Sequence, residues 1–389
     1  MTDAPKTSSY DVVVIGAGVI GLSCAWQAAR TGRSVLVVDR DRPASGASGV
    51  AAGLLAPVTE LSWGEQALLE LNLEAARRWP AFDAELREWA RCDTGYEQSG
   101  ALRVAIDRDD VAELRRMYDF QCSLDLDVEW LIPSACRDGE PGLAPGIAGG
   151  VAAAGDHQVD PRRLVQALAT AVECAGGEIA AGTEAHAVEI VADRVSGVRT
   201  DCGGVGCDHL IVAAGCWARE LGGLPPDAAP PVRPVKGQIL RLRGGDAPIA
   251  RRAVSTLRCY VVPRSGGEVV VGATVEERGF DTAVTAGGML ELLEAAREVL
   301  PGTAELELVE SAARLRPGTP DNLPVVGAGA PDGLVWATGH YRNGILLAPI
   351  TADAVLSVLD GEDEPLWEAA SPRRFATIEG ESRMAAGTA

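Results

Sequence analysis

The segment GHYRNGILLAPITA, residues 339–352, places an arginine where a helix is predicted to begin. A glycine turn leads into the apolar run, and Arg342 stands at the junction, two residues after His340. The N-terminus of a helix carries partial positive charge, so it repels a cation and attracts an anion. A fixed guanidinium at this point therefore indicates that an anionic group binds there. An arginine paired with a surface acid is the alternative.

A second candidate site lies near the N-terminus of the chain, where Gly16, Gly18 and Gly21 form a GxGxxG pattern. The pattern follows YDVVVI (10–15), which is typical of a buried parallel strand, and precedes LSCAWQAARTG, which is typical of a helix. The first glycine permits a tight turn, the second lets backbone approach a pyrophosphate, and the third lets the helix pack on the strand. The free N–H groups of that helix would bind the pyrophosphate.

Asp39 ends the next predicted strand, SVLVVD (34–39), and completes the dinucleotide-binding pattern. Its carboxylate can accept hydrogen bonds from ribose hydroxyls and would repel a 2′-phosphate, which disfavours NADP. The pattern does not separate FAD from NAD. The segment GASGVAAGLL (46–55) favours further cofactor contact, because small residues let backbone run close to a ribityl chain and pyrophosphate. An ordinary glycine-rich surface loop is the alternative.

The elements that carry these residues predict an α/β fold. A βαβ unit opens the chain, Asp160-Pro161 is typical of a helix start, and HLIVAAG (209–215) returns to the buried sheet. Alternating segments between residues 232 and 275 instead indicate an antiparallel sheet in another domain. We therefore predict a Rossmann-like dinucleotide-binding domain interleaved with a substrate domain built on a mostly antiparallel sheet flanked by helices. The predicted boundaries are 1–80, 150–220 and 310–375 for the first domain, and 81–149 and 221–309 for the second.

Composition restricts the class of partner. The 389 residues are 47% hydrophobic and carry a net charge of −20, which argues against binding nucleic acid or an anionic membrane surface. The nine cysteines and four histidines show no zinc-ligand spacing, so no metal is expected, and free thiols fit a reducing cytoplasm. The first residues lack the pattern of a signal peptide, and residues 43–59 are too rich in Gly, Pro and Ser for a membrane helix. We expect a cytoplasmic protein.

Several segments together resemble a known family. In order along nearly the whole chain, they are GAGVIG, AAGLL, VKGQIL, CYVVPR, VVVGATV, LRPGTPDNLPVVG and GHYRNGILLAP. They are similar to the D-amino-acid-oxidase type of FAD-dependent amine oxidases, and among these to the glycine oxidases that supply thiazole synthesis for thiamine. HYRNGILLAP is the most specific segment and GAGVIG the least.

This resemblance implies FAD as the cofactor. Residues 340–346 would wrap the isoalloxazine ring, with the N-terminus of the following helix stabilising negative charge on the reduced flavin. Some relatives tether the ring through a cysteine near the arginine strand, and none follows Cys259 here, so a non-covalent flavin is expected. The cofactor contacts predicted are Gly16, Gly18, Val19, Ile20, Gly21, Asp39, Arg40, Ala47, Ser48, Ala52, Gly53, Leu54, Val188, Gly215, Gly339, His340, Tyr341, Arg342, Asn343, Gly344, Ile345 and Leu346.

The resemblance also implies a substrate site. Arg316, in RLRPGT (314–319), matches the arginine that binds the substrate carboxylate, for which a guanidinium offers a planar fork. Arg314 shares a face with Arg316 in a regular strand, so either could point inward. The match favours Arg316 and assigns Arg314 to the surface. Arg342 would face the anionic substrate. The hydroxyl of Tyr260 could reach the carboxylate or position the amine, with a half-buried sheet tyrosine as the alternative.

Two positions depart from the family pattern. Arg258 stands where some glycine oxidases carry a histidine, and Val275 stands where some relatives carry a methionine. These departures leave the shape of the pocket, and the preference among small amines, open. His157, His186 and His209 lie outside the matching substrate motifs and are expected to be structural or exposed.

The implied reaction is oxidation of glycine, and of sarcosine or small D-amino acids, to an imine. Oxygen would reoxidise the flavin and yield hydrogen peroxide. The imine would hydrolyse to glyoxylate and ammonia or pass to thiazole synthase, and a homo-oligomer is expected. The alternatives are a broader D-amino-acid oxidase or sarcosine-oxidase-like enzyme, a dehydrogenase that reduces a quinone, an NAD-linked enzyme, and a protein that holds FAD only as a structural element.

Overall fold

The computed structural model describes residues 9–225, 228–245, 247–362 and 365–375. Its strands are β1 (Ser9–Ile15), β2 (Val35–Asp39), β3 (Leu54–Leu55), β4 (Ala101–Ala105), β5 (Glu129–Leu131), β6 (Gly149–Ala153), β7 (His157–Gln158), β8 (Glu178–Ala181), β9 (Ala185–Val191), β10 (Arg194–Thr200), β11 (Gly203–Val212), β12 (Arg233–Arg243), β13 (Ala253–Ser255), β14 (Tyr260–Pro263), β15 (Glu268–Gly272), β16 (Glu307–Gly318), β17 (Val325–Ala328) and β18 (Leu334–Thr338).

The α-helices are α1 (Val19–Ala29), α2 (Gln66–Ala90), α3 (Arg108–Ser123), α4 (Pro133–Gly139), α5 (Pro161–Cys174), α6 (Ala286–Val299) and α7 (Gly344–Asp360). Short 3-10 helices cover Ala47–Gly49, Gly215–Glu220, Pro301–Glu305, Pro365–Ala370 and Pro372–Phe375.

The first sheet carries the predicted βαβ unit. Its strand order is β17-β18-β11-β1-β2-β8, with β10 and β9 added beside β11. The strands β8, β2, β1, β11 and β18 run parallel, and their apolar residues are buried because helices or strands cover both faces. α1, α2, α5 and α7 pack together on one face. The predicted α/β fold with a dinucleotide-binding unit is confirmed.

The second sheet carries the segments whose alternation indicated antiparallel strands. Its order is β16-β12-β15-β14-β13-β4-β6-β5, and every pair in it is antiparallel except β13 with β4. One face packs on α6 in an apolar core that includes Leu240, Val271 and Leu292. The opposite face, with Ile239, Gly272 and Tyr260, lines the cavity described below.

Two predicted domain boundaries differ from the structure. The boundary at residue 310 cuts β16, which pairs with β12 from Arg233↔Gly318 to Arg243↔Glu307 and so belongs entirely to the second sheet. The boundary at residue 80 falls inside α2, a continuous helix that contains Pro80. Both differences arise because pairing and packing with distant segments, rather than local pattern, decide where these elements belong.

Across the described residues, no single helix is long and apolar enough to cross a membrane. One pair, α7 and Pro365–Phe375, is sharply bent and passes the test by length and composition alone. Within the same ranges, no group of three or more His, Cys, Asp or Glu side chains is placed to hold a metal ion.

Candidate active site

A cavity of about 1480 Å³ is lined by residues of both sheets. Gly16 and Asp39 come from the first sheet, and Tyr260, Gly272 and Arg316 come from the second. Typical ligand pockets measure roughly 300–1,000 Å³. The cavity is therefore large enough for a cofactor together with a small substrate.

The GxGxxG turn requires glycine at Gly16 and Gly21, and a side chain at Gly18 would crowd Ser48. Gly16 adopts φ +110°, and a Cβ on it would lie 2.9 Å from the carbonyl carbon of Ala213. A Cβ on Gly21 would collide with the carbonyl of Gly16, because α1 packs closely on β1. A Cβ on Gly18 would lie 3.2 Å from Ser48 Oγ, at the point where the turn faces the cavity.

The N-terminus of α1 opens on this cavity. Gly18 caps the helix without a side-chain hydrogen bond, and the N–H of Val19 donates to Ser48 Oγ at 3.0 Å. Asp39 accepts hydrogen bonds from the N–H groups of Ala17 (2.7 Å) and Asp41 (2.9 Å), which fix its carboxylate at the cavity wall. Burial raises the pKa of Asp39, and these two hydrogen bonds oppose the shift.

The N-terminus of α7 also faces the cavity. Asn343 caps the helix without a side-chain hydrogen bond, and its buried Nδ2 has no hydrogen-bond partner among the described residues. His340 Nε2 lies 3.0 Å from Thr351 Oγ1, and burial lowers the pKa of His340 to about 3, so the ring is neutral. The N–H of Tyr341 donates to the carbonyl of Pro317 at 2.9 Å. This bond ties the segment to the end of β16, next to Arg316.

Most of the predicted cofactor contacts line this cavity. The residues that do so are Gly16, Gly18, Val19, Ile20, Asp39, Arg40, Ala47, Ser48, Ala52, Gly53, Leu54, Gly215, His340, Tyr341, Arg342, Asn343, Gly344 and Ile345.

Four predicted contacts lie elsewhere. Gly21 and Gly339 serve close packing, since a Cβ on Gly339 would lie 2.7 Å from Thr319 Cγ2. Val188 and Leu346 are buried in the apolar clusters on the two faces of the first sheet. The cavity wall instead includes His186, two residues before Val188 and exposed, which sequence reasoning left without a cofactor role. No local motif marks His186; only its position at the start of β9 brings it there.

Arg316 and Tyr260 face the cavity together. The Arg316 guanidinium lies over Gly237, where a Cβ would be 2.6 Å from Arg316 Cζ, and its Nη1 donates to the carbonyl of Thr274 at 3.1 Å. Tyr260 lies over Gly272 in the same way, since a Cβ added to Gly272 would lie 2.6 Å from Tyr260 Cε2. Burial raises the pKa of Tyr260, and the Arg316 guanidinium beside it acts in the opposite direction.

The guanidinium of Arg316 has no acidic partner in the part of the chain that the structure describes. Among the described residues, no carboxylate lies within 4.0 Å of its guanidinium. An unpaired cation in a partly buried site is costly, so an anionic ligand would stabilise it. Arg316 therefore fits the predicted carboxylate-binding role, with Tyr260 as a neighbouring hydroxyl donor.

Two other arginines of the cavity have partners within the chain. Arg342 is paired with Glu65 and also donates to Ser62 Oγ at 3.1 Å, so its charge is already met, as in the alternative of an arginine paired with an acid. Arg314, assigned to the surface, is half-buried at the cavity, and its Nε donates to the carbonyl of Ser45 at 2.8 Å. Arg314 thus holds the glycine-rich segment that starts at residue 46.

A dinucleotide-binding sheet that shares one cavity with an antiparallel, arginine-bearing sheet is typical of a nucleotide-dependent oxidoreductase. The comparison with known families agrees with this class. The chain belongs to the family described as FAD dependent oxidoreductase, whose model matches residues 11–357. It is therefore an FAD-dependent oxidoreductase.

Three relatives indicate the branch of the family. The glycine oxidase of Geobacillus kaustophilus is 34% identical over 92% of this chain and 94% of its own length. Its crystal structure covers 94% of this chain and 98% of its own, with a TM-score of 0.88. The bifunctional protein ThiO/ThiG of Synechocystis is 35% identical over 95% of this chain, which spans 55% of that longer protein. The hydrogen cyanide synthase subunit HcnC of Pseudomonas aeruginosa is 32% identical over 92% of this chain and 94% of its own length.

The residues present fit FAD. Gly16 and Gly18 line the cavity where a Cβ would crowd neighbouring atoms, and the N-termini of α1 and α7 open on the same cavity. The Nδ2 of Asn343, which has no partner among the described residues, supplies a buried donor at the N-terminus of α7. Gly18 and Ser48 would hold the pyrophosphate, Asp39 the ribose, and residues 340–345 the ring.

Proposed function

We propose that this enzyme oxidises glycine, and with it sarcosine and small D-amino acids, to the imine, with oxygen as the electron acceptor and hydrogen peroxide as a product. The observation that supports this best is the Arg316–Tyr260 pair, a cation and a hydroxyl donor that face the cavity without a carboxylate partner among the described residues. The glycine oxidase named above, similar over most of both chains, supports the choice of glycine.

The chemistry that bound FAD would supply is acceptance of a hydride from the substrate Cα, with the amine losing a proton; the two electrons and two protons would then pass to oxygen as hydrogen peroxide. The protein binds and orients the substrate. Arg316 binds the carboxylate through its planar fork, and the carbonyl of Thr274 holds the guanidinium in place. Tyr260, whose raised pKa keeps the phenol protonated, donates a hydrogen bond to the same carboxylate.

These contacts restrict the Cα to one position, and such positioning supplies a large part of the rate enhancement in bimolecular reactions. No side chain needs to act as a general base if the amine enters neutral. The arrangement therefore accounts for oxidation of a small amino acid with the residues present.

Anaerobic titration of the flavin tests the proposal. Glycine, sarcosine and D-alanine should each bleach the flavin absorbance, and air should restore it with one peroxide per imine. If no small amino acid bleaches the flavin, FAD is a structural element and the proposal is wrong. If bleaching occurs but air yields no peroxide, the enzyme is a dehydrogenase that uses another acceptor.

We further propose that the imine either hydrolyses to glyoxylate and ammonia or passes to thiazole synthase for the thiazole moiety of thiamine. The bifunctional ThiO/ThiG relative supports this, because it joins a chain similar to this one to a second part within one protein. Peroxide and glyoxylate measured with and without added thiazole synthase would show whether the imine is diverted.

We also propose a cytoplasmic homo-oligomer. Leu290 and Leu293, on α6, are exposed apolar side chains of a kind that self-association would bury. Light scattering of the purified holoenzyme would give the number of subunits.

A further inference from the structure

Arg264 is a buried arginine that directly follows β14, the strand that begins with Tyr260. Its N–H donates to the carbonyl of Glu268 at 2.8 Å, which closes the hairpin between β14 and β15. The side chain is 8% exposed, and its Nη2 donates to the carbonyl of Ala52. Ala52 lines the cavity, so the guanidinium lies directly behind the cavity wall.

The charge of Arg264 has no direct acidic partner in the described part of the chain. No carboxylate there lies within 4.0 Å of the guanidinium, and its buried Nε and Nη1 have no hydrogen-bond partner. Burial lowers the pKa of Arg264 to about 10, and the charge of Arg241 adds to the fall. The half-buried acids Asp160, Glu268 and Glu97 oppose it. Arg264 therefore stays charged at neutral pH.

These three acids have other partners and are more accessible to water than Arg264. Glu268 is paired with Arg241 at 2.6 Å. Asp160 caps the N-terminus of α5, and Glu97 accepts a hydrogen bond from Gln158 Nε2 at 2.8 Å. Water screens the charge of a half-buried side chain more strongly than that of a buried one. The positive charge behind the wall is therefore only partly offset.

Four guanidinium groups donate to carbonyls of residues 45–52, a segment of the cavity wall. The pairs are Arg314 Nε with Ser45 (2.8 Å), Arg162 Nε with Gly49 (2.8 Å), Arg241 Nη2 with Gly49 (3.3 Å) and Arg264 Nη2 with Ala52. Arg162 and Arg241 are also paired with glutamates. Among the described residues, Arg264 and Arg314 are not, and Arg264 is the more deeply buried of these two.

The amide donors at residues 52 and 53 are left for a ligand. The carbonyl of Gly53 accepts from the N–H of Val159 at 2.9 Å, and the carbonyl of Ala52 is held by Arg264. The N–H groups of Ala52 and Gly53 donate to no residue that the structure describes, and both residues line the cavity. Two amide donors with a guanidinium behind them favour negative charge in this part of the cavity.

We propose that Arg264 is a positioning residue for the cofactor: it fixes the amide donors of residues 52 and 53 through the Ala52 carbonyl, and its charge stabilises the negative charge that the flavin gains on reduction. The inference requires FAD in the cavity, which membership of the FAD-dependent family supports, and it does not depend on which substrate is oxidised. Without this charge, the flavin should be harder to reduce and should bind an anion at the ring less tightly.

Sulfite titration of the purified holoenzyme tests the charge without turnover. Sulfite adds to oxidised flavin and leaves the ring negatively charged, as reduction does, and the loss of flavin absorbance reports its binding. Arg264→Gln keeps an N–H donor for Ala52 but removes the charge. We expect its sulfite Kd to rise about tenfold, equivalent to a two-electron midpoint potential lower by about 30 mV, which equilibration with a reference dye would measure. Arg264→Lys keeps the charge and should stay near wild type in both measurements.

Arg162→Gln is the matched control, since Arg162 also donates to a carbonyl of residues 45–52 but is exposed and paired with Glu310. Its sulfite Kd and midpoint potential should stay close to the wild-type values. FAD content and Tm of each variant would show that folded holoenzymes are compared. If Arg264→Gln does not retain FAD, Arg264→Lys decides: an unchanged potential supports the proposal, and a lowered potential overturns it.

Equal sulfite affinity and potential in wild type and Arg264→Gln, even with weaker FAD binding, would assign Arg264 to packing alone and overturn the proposal. A shift of the same size in Arg264→Lys or in Arg162→Gln would overturn the role of its charge. Both measurements are made without an amine. Failure of glycine to reduce the flavin would therefore overturn the proposed function and leave the result for Arg264 unchanged.

Discussion

The roles of the cavity arginines are decided by what lies next to each guanidinium. Arg316 has the carbonyl of Thr274 and lies beside the Tyr260 hydroxyl, Arg314 has the carbonyl of Ser45, and Arg342 has Glu65. All three residues are arginines. Among the described contacts of these three, only Arg316 has guanidinium N–H groups left to bind a planar anion. A lysine in its place would keep the charge and lose that fork.

We therefore predict that Arg316→Lys lowers kcat/KM for glycine by roughly 10²-fold, equivalent to about 3 kcal/mol of transition-state stabilisation. Arg314→Lys is the matched variant. It should leave glycine binding largely intact and weaken FAD binding, because it loosens the segment held through Ser45. Steady-state peroxide production and FAD dissociation constants would check both. A crippled Arg314→Lys enzyme beside a near-normal Arg316→Lys enzyme would reverse the assignment.

The sequence predicted part of this arrangement. Residues 314 and 316 share a face of a regular strand, and both indeed line the cavity. Their different roles could not be predicted, because Ser45, Glu65 and Thr274 are far away in sequence and come into contact only through the fold.

Pairing between strands creates the space in which the substrate residues lie. Gly237 on β12 and Gly272 on β15 have no side chain, and the Arg316 guanidinium and Tyr260 ring occupy the space above them. The alternation of these strands predicted an antiparallel sheet, and the structure confirms it. Whether a glycine lies beneath a side chain of a neighbouring strand depends on the pairing register of the two strands. The local sequence pattern does not determine that register.

Gly237→Ala should displace the Arg316 guanidinium, because the added Cβ would lie 2.6 Å from Arg316 Cζ. We expect KM for glycine to rise by about tenfold or more, with the flavin spectrum and content unchanged. Gly287→Ala, at an α6 glycine whose Cβ would meet nothing within 4 Å, is a suitable control. Equal kinetics for the two variants would show that Arg316 does not depend on Gly237.

The segment at residues 58–63 forms another part of the cavity wall and is held by a buried carboxylate. Asp156 accepts hydrogen bonds from the N–H groups of Val58 (3.2 Å) and Thr59 (2.7 Å) and from Thr59 Oγ1 (2.6 Å). Burial raises the pKa of Asp156 from 3.8 to about 6, and the charge of Glu60 adds to the rise. The folded chain therefore holds this proton more tightly than the unfolded chain does.

It follows that the stability contributed by protonated Asp156 is fully present below about pH 4 and is lost as pH rises through about 6. Asp156→Asn cannot ionise, so its free energy of unfolding relative to wild type should rise by about 2–3 kcal/mol between pH 4 and pH 7. Urea unfolding across this range would measure the difference. Glu173→Gln, at an exposed residue of α5, is the control, and a difference independent of pH in Asp156→Asn would contradict the prediction.

At the scale of the whole molecule, the cavity lies where the two sheets meet. The sequence predicted both sheets and their interleaving along the chain. Two of the predicted boundaries fall inside elements, because α2 runs through residue 80 and β16 begins before residue 310. An amphipathic helix or an edge strand carries the same local pattern in either unit, so only long-range contacts decide which unit it joins.

Non-covalent attachment of FAD is expected from the state of the cysteines at the cavity. Cys216 and Cys259 are the cysteines that line it among the described residues, and both are buried. Burial raises the pKa of Cys216 to about 12 and also raises that of Cys259, so both remain thiols, which are poor nucleophiles. Acid precipitation should therefore release all of the flavin into the supernatant. Flavin that stays with the precipitated chain would contradict this.

Because both sheets line the cofactor cavity, FAD binding should stabilise the whole folded chain. A ligand that binds only the folded state adds about 2.7 kcal/mol at a free concentration of 100 Kd.

Asp39→Ala removes the acceptor for the ribose, which should weaken FAD binding by about 1–3 kcal/mol. The Tm of the Asp39→Ala apoprotein should lie close to that of the wild-type apoprotein, because the Asp39 carboxylate accepts only two N–H groups at the cavity edge. That difference should be smaller than the rise in Tm that FAD causes. Titration of FAD into both apoproteins, followed by Tm, should give parallel curves displaced to higher FAD concentration for the variant. Superimposed curves would remove Asp39 from the cofactor site, whereas a lower apoprotein Tm with an unchanged FAD response would assign it a purely structural role.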